Sequence, residues 1–229
     1  TAFTVNLYTQ EYYQLQKKHL KPGGISAQWV PLHSQGEKEV AMHFSTFRSV
    51  FPYTMGWMPV ANEMLLIGSD QPIRIDFEKL KTRLQEPEVK KELADIEIFN
   101  VFAFLSNIWF LDEQVQALGR GYPLITDNHP AIEFYLDLGN VIDVSGKEKY
   151  VFNRASFDQI AKHVENLSET DRRRLKTHYE AMDLYQRGVM YGNRGQLLKA
   201  LSLIEDNNLI RYHLQADRKQ IARLIEQVE

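Results

Sequence analysis

The chain has 229 residues, 44% of them apolar and 25% charged, a balance that suits a globular protein of about one or two domains and excludes a disordered or collagen-like chain. Its 27 basic and 30 acidic residues leave a formal net charge of −3, so there is no overall electrostatic footprint for nucleic acid. The absence of cysteine excludes disulfide scaffolds, cysteine zinc sites and thiol nucleophiles and fits a reducing compartment.

Thr1 opens the sequence with no basic, apolar and small-residue leader pattern behind it, which reads as a mature product or an excised piece of a longer protein. Residues 8–20 predict a helix with Thr9 as N-cap, stopped by Lys21-Pro22-Gly23-Gly24. Residues 25–32 follow as a strand, with Pro31 marking its end. Val40, Met42 or His43, Phe44, Phe47, Val50 and Phe51 give helical spacing to 37–50, and Pro52 ends that helix. Strands are expected at 53–58 and 63–69, the second holding Met64-Leu65-Leu66-Ile67, a run that suits burial on both faces. Such a helix–strand alternation is the tail of an α/β sheet rather than a whole one.

Two short charged helices are expected at 76–85 and 87–94. The apolar stretch 96–111 is too short and too interrupted by Glu97, Asn100 and Asn107 to span a membrane, and reads as a buried core helix that continues through 118. Residues 123–134 form the densest polar cluster of the chain, and 139–149 are turn-rich. From Ser156 onward the pattern is almost wholly helical: one helix marked by Phe157, Ile160, Val164 and Leu167, a long one opened by Ser168-Glu169-Thr170-Asp171, a turn at Asn193-Arg194-Gly195, a helix over 196–205 and a last one over 220–228.

Gly188, Tyr191, Gly195 and Ala200 have the order and spacing of a tetratricopeptide unit. Small residues there let two antiparallel helices approach, with Tyr191 filling the gap above them; a generic helical hairpin is the other reading. One unit cannot bury its own face, so it should pack on helices at 156–167 and 216–228.

The segments Leu7-Tyr8-Thr9-Gln10-Glu11-Tyr12-Tyr13, Leu20-Lys21-Pro22-Gly23-Gly24 and Gln28-Trp29 resemble the later half of spermidine synthase-like proteins, aminopropyltransferase relatives with a methyltransferase-type α/β fold. Thr126-Asp127-Asn128-His129-Pro130 with Glu133-Phe134 is similar to a motif that follows this domain in large bacterial members, many of which carry membrane helices upstream and helical repeats downstream. The expected fold class is therefore α/β: the C-terminal portion of a methyltransferase-type sheet over residues 1–72, a helical extension with the polar loop over 73–145, and a tetratricopeptide-like helical region over 146–229.

What the resemblance implies is a transferase of polyamine biosynthesis, moving an aminopropyl or related group from a decarboxylated S-adenosylmethionine-type donor to an amine. The family's nucleotide-binding Gly-rich turn and catalytic Asp belong to segments upstream of those matched here. This chain alone is expected to be inactive, to bind no cofactor, and to partner the upstream half of the same protein or an equivalent chain. A homo-oligomer, a protein partner at the helical tail, and a cytoplasmic location with membrane association through upstream segments complete the expectation.

No catalytic residue is assigned. Gln28, near a strand end, is placed facing the pocket, or hydrogen-bonded to a neighbouring loop. Tyr8, Glu11 and Trp29 complete the substrate-binding set; packing is the role that the residues themselves favour for the tyrosine, and the helix N-terminus alone favours Glu11. Asp127, His129 and Glu133 suggest a metal or acid–base group, yet one loop cannot supply converging ligands and Asp-Asn before Pro is ordinary turn chemistry; no metal is expected. The seven histidines are scattered, and Arg172-Arg173-Arg174 reads as a solvated face.

Two departures favour a different class of function. Where the polyamine synthases place a Tyr beside Pro, this chain reads Met58-Pro59-Val60-Ala61-Asn62, and Trp29-Val30 follow Gln28 where an acidic residue is usual. A diamine needs carboxylates or aromatic rings around its ammonium groups. The alternative is a non-catalytic scaffold whose helical tail binds a protein.

Overall fold

The computed structural model describes residues 5–32, 35–60, 63–96, 98–132, 148–191 and 193–204. The chain forms a mixed α/β fold followed by a C-terminal helical region. It divides into two compact units: residues 1–75 with 108–163, and residues 76–107 with 164–229.

The first unit is built on a four-stranded sheet. A 3-10 turn at Val5–Tyr8 leads into α1 (Gln10–His19), which Thr9 caps by accepting the Tyr12 N–H at 3.3 Å. Then come β1 (Ile25–Pro31), α2 (Glu37–Val50), β2 (Tyr53–Val60) and β3 (Glu63–Ser69). β3 lies between β1 and β2 and is antiparallel to both. β1 and β2 therefore run parallel to each other, and α2 is the crossover that parallel strands require.

One face of this sheet is packed. Met64, Leu66 and Gly68 of β3 are buried on the same side as Val30 of β1. At Gly68 a Cβ would lie 2.6 Å from ring atoms of both Phe47 and Phe51 on α2, so the missing side chain is what lets helix and strand meet. Tyr13 stands edge-on to Phe47, with centroids 5.0 Å apart, and joins α1 to the same apolar layer.

The other face is different. Leu65 and Ile67 are only half-buried, and across the register Ile25 is 59% and Trp29 44% exposed. The run at 64–67 is therefore buried on one face and not on both: alternation sends Leu65 and Ile67 to a side that no described element of this unit covers over β1 and β3.

The apolar stretch 96–111 is not a single core helix. α5 (Val101–Leu105) is capped by Asn100 and stops at Ser106, and Ile108–Leu111 forms β5, paired antiparallel to β2. The β-branched and aromatic residues Ile108, Trp109 and Phe110 suit a fully buried strand better than a helix. They finish the sheet in the order β1-β3-β2-β5. Two more strands, β4 (Ile75–Asp76) and β6 (Val164–Glu165), form a separate ladder. α6 (Asp112–Gly119) follows β5 directly and packs on α2. At Gly119 a Cβ would come within 2.6 Å of the Ser45 backbone nitrogen, so two helix backbones touch there. α7 (Glu148–Phe152) supplies the Tyr150 carbonyl that accepts the buried Trp109 indole N–H at 3.0 Å. The helix expected over 157–167 is shorter: α8 spans Phe157–Ala161, then β6, and Asn166 at a φ of 59° turns the chain away from helix.

In the second unit, α3 (Phe77–Arg83), α4 (Pro87–Asp95) and α5 accompany the long α9 (Glu169–Met190) and α10 (Arg194–Leu203). Ser168 caps α9 and Asn193 caps α10. α9 and α10 form the expected hairpin: Gly188 faces Leu197, where a Cβ would lie 2.7 Å from Leu197 Cδ2, and Ala200 is buried. Tyr191 does not fill a gap between them; it is the C-cap of α9 and is 48% exposed. The helix expected at 220–228 lies outside the described residues.

The membrane association implied by the resemblance is corrected here. Among the described residues, no helix is long and apolar enough to cross a membrane.

Candidate functional site

The predicted polar residues at the start of the chain gather around the first turn of α1 and one face of β1. Tyr8 closes the 3-10 turn, and Thr9 holds that turn from both sides: its hydroxyl donates to the Asn6 carbonyl at 3.2 Å and accepts the Tyr12 N–H. This local lock fixes where the Tyr8 ring projects. The ring stands edge-on to His43 of α2, with centroids 4.8 Å apart. The Gln28 side chain hydrogen-bonds the Tyr8 hydroxyl and also donates from Nε2 to the Trp29 carbonyl at 3.2 Å. Tyr8 and Gln28, twenty residues apart in sequence, are thus one unit.

Glu11 joins a second part of the chain to this group. Its carboxylate accepts the Asp127 N–H at 3.1 Å, while the Gln10 N–H donates to the Ile125 carbonyl at 2.8 Å. The Ile125 N–H is in turn taken by the Thr46 hydroxyl of α2 at 2.8 Å. Ile125 and Met42 are fully buried, and Tyr8, Tyr122, Ala131 and Ile132 pack around them. The loop at 123–130 is therefore tied to both α1 and α2 through its backbone.

Within that loop, Thr126 and His129 pair as an antiparallel bridge around Asp127 and Asn128, a tight turn of the kind this composition favours. The side chains of Asp127, Asn128 and His129 are exposed. Among the described residues no group of three His, Asp or Glu side chains stands close enough to hold a metal ion. Glu133 lies outside the described residues. Trp29 belongs to the opposite face of β1 from Gln28 and does not enter this cluster.

Two residues of the site do not stand out in the sequence. His43 is completely buried on α2, and its Nε2 lies 3.0 Å from the Gln35 side-chain oxygen. An amide oxygen can only accept, so Nε2 carries the hydrogen, and among the described residues the buried Nδ1 has no partner. Burial pushes the His43 pKa down to about 3, because a charged imidazolium cannot be solvated there. The signal available in the sequence is a histidine sitting in the apolar stripe of α2; Gln35 carries none.

This chemistry suits recognition rather than proton transfer. Tyr8 is held above its ordinary pKa chiefly by burial, with the Gln28 hydrogen bond opposing, so its hydroxyl stays protonated near neutral pH. His43 stays neutral. A general base works best with a pKa near the operating pH, and neither group meets that condition. What the cluster offers is one phenol, one primary amide and one carboxylate.

No protein-family model matches the chain, and no curated protein or solved structure is detectably similar to it.

Proposed function

We propose that this chain is the C-terminal part of a spermidine synthase-like transferase fold, contributing the acceptor-side wall of a site whose donor-binding and catalytic groups lie on the upstream half. The observation that carries this reading is the open edge of the sheet. Among the described strands β1 lies at an edge, and its sequence Ile-Ser-Ala-Gln-Trp-Val-Pro has no charged residue along it. Natural edge strands are normally guarded by lysines, prolines, inward charges or bulges, and Pro31 guards only the end of β1. Beside that edge lies an apolar face made by Ile25, Trp29, Leu65 and Ile67, none of them buried. Every adjacent pair in this sheet is antiparallel, and a sheet of that kind can leave one face to solvent, so the reading rests on the edge. A further strand beside β1 would satisfy that edge, and the upstream half of an α/β domain would provide one.

The group-transfer part of the proposal rests on the resemblance and on the Tyr8, Glu11 and Gln28 cluster. The donor pocket is assigned to the upstream half. The connection from β1 to α2 ends in Gln35-Gly36, with a single glycine and no carboxylate, unlike the Gly-rich turn and acidic residue that hold a nucleotide. Tyr8, Glu11 and Gln28 instead offer a hydroxyl, a carboxylate and an amide oxygen, the groups that receive a protonated amine. The test is calorimetry with decarboxylated S-adenosylmethionine and an amine acceptor, on this chain and on the full-length gene product. Transfer by the full-length product, with KM for the amine raised by Tyr8→Phe and Gln28→Ala, and no heat with this chain, is the expected pattern. Tight donor binding by this chain, or a full-length product that transfers nothing, would contradict it.

A second reading is favoured by the helical hairpin. Tyr191, Leu198 and Leu203 are 48%, 50% and 37% exposed, apolar side chains that a docked protein would cover. Together with the absent Tyr beside Pro59, this supports a scaffold whose tail docks a partner. Transferase activity in the full-length product separates the two.

A further inference from the structure

A cleft of about 520 Å³ opens at the end row of the sheet, where Tyr53 stands opposite Ser69. The Tyr8–Gln28 cluster takes no part in it. One wall is apolar: Tyr53 and Met55 from the start of β2, Leu111 from the end of β5, and Pro72 and Ile73 from the loop after β3. The other wall carries Arg74, Gln159, Lys162 and His163, with Asp112 and Glu113 at the first turn of α6.

The lining carries two cations, Arg74 and Lys162, and two carboxylates, Asp112 and Glu113, and Arg48 behind Asp112 adds a third cation. Asp112 is already used: Arg48 Nε lies 3.0 Å from Oδ1 and its Nη2 3.2 Å from Oδ2, and Thr54 donates its N–H and its hydroxyl to Oδ1 at 3.2 and 2.8 Å. Glu113 accepts the Gln159 amide at 3.1 Å. Arg74 spends one N–H on the Lys162 carbonyl at 2.7 Å, and His163 Nδ1 donates to the Ile73 carbonyl at 3.0 Å. These last two bonds fix the basic wall in shape while satisfying only backbone oxygens. Among the described residues, neither the Lys162 ammonium nor the Arg74 guanidinium has a carboxylate partner. The result is a cleft in which two cations without a described carboxylate partner face an aromatic and aliphatic wall, with one net positive charge once Arg48 is counted against Asp112 and Glu113, and its volume is within the size range of small-molecule sites.

We propose that this cleft binds a small organic anion, a carboxylate or phosphate monoester on an apolar body, with Lys162 and Arg74 holding the anionic group and Tyr53, Met55 and Leu111 the body. A planar oxyanion matches the guanidinium fork, and charge-assisted bonds of this kind are the strong ones. The site is independent of the transferase reading.

The experiment is an NMR titration of the ¹⁵N-labelled chain with benzoate and phenyl phosphate, and with benzylamine and benzyl alcohol as cationic and neutral controls. Saturable shifts at Tyr53, Arg74, Lys162 and Glu113 with either anion, and weaker binding of both controls, are expected. Lys162→Gln and Arg74→Gln should each weaken binding by about tenfold or more, the usual loss for a charge-assisted hydrogen bond. Lys162 and Arg74 are exposed, and unchanged far-ultraviolet circular dichroism of both variants verifies the fold. No saturable shift with either anion, benzylamine binding as well as benzoate, or full affinity in the Lys162→Gln and Arg74→Gln variants would overturn the proposal.

Discussion

Replacing Gly68 by alanine tests whether α2 and the sheet meet as described. The added Cβ would lie 2.6 Å from Phe47 Cε1, 2.6 Å from Phe51 Cγ and 2.7 Å from Phe51 Cβ, about 1 Å inside the optimal carbon–carbon separation of ~3.5–4.0 Å. Neither ring can withdraw easily, because Phe47 and Phe51 are fully buried and pack on each other and on Tyr13. Overpacking of this kind costs about 1–3 kcal/mol. Part is returned by the lower entropy of the unfolded alanine chain, about 0.4–1 kcal/mol, leaving a net loss of roughly 1–2 kcal/mol. Urea unfolding followed by tryptophan fluorescence measures it as a lower midpoint at unchanged slope. In a Phe47→Leu background, which removes the Cε1 atom that the new Cβ would meet, the loss should shrink by about 0.5 kcal/mol or more, the coupling expected of residues in contact. A Gly68→Ala protein as stable as the parent, or a loss untouched by Phe47→Leu, would refute the packing.

The remaining expectations concern single sites. His43 has a folded pKa of about 3 against roughly 6.5 unfolded, so the unfolded chain binds more protons between these values and stability falls as pH drops below about 6.5. The slope from this group approaches ~1.4 kcal/mol per pH unit. His178, also depressed chiefly by burial, adds the same sign. A His43→Leu variant should show a flatter acid limb in the same urea assay, and an unchanged limb would mean that His43 is solvated. Gly188→Ala should open the α9–α10 hairpin at Leu197 and cost about 1–3 kcal/mol, read as faster amide exchange in α10. Asp112→Ala removes the acceptor shared by Arg48 and Thr54; because both ion-pair partners are partly exposed, the expected loss is only ~1 kcal/mol.

Much of the architecture was legible because local signals and the tertiary fold agree. Thr9, Ser168 and the Pro22-Gly23-Gly24 stop mark helix ends through backbone hydrogen bonding that neighbours in sequence supply. The α2 helix and β3 emerge at 37–50 and 63–69 as their periodicity dictates. The stretch 96–111 misleads because an apolar run does not say which period its burial follows; Asn100 and Ser106–Asn107, which cap and end α5, are the local signs of the break. Leu65 and Ile67 mislead for another reason: the sequence demands cover on both faces, and the described elements of this unit provide it on one. Tyr8, Gln28 and Glu11 could be named as polar groups at an α1–β1 boundary, but the Tyr8–Gln28 bond and the hold of Glu11 on Asp127 depend on long-range register. His43 showed only as a histidine in the apolar stripe of α2, and Gln35 and the Arg74–Lys162 wall were not legible, since they acquire their meaning only from partners that the fold brings to them.

The open edge of β1 bears most directly on the whole account. Amide hydrogen exchange at residues 25–31, measured on this chain and on the full-length gene product, reads it residue by residue. In the isolated chain, alternate amides of β1 should exchange freely while those bonded to β3 are protected, and in the full-length product the free set should become protected as well. Protection of both sets in the isolated chain, or a free set that stays exposed in the full-length product, would contradict the reading of this sheet as one awaiting its other half.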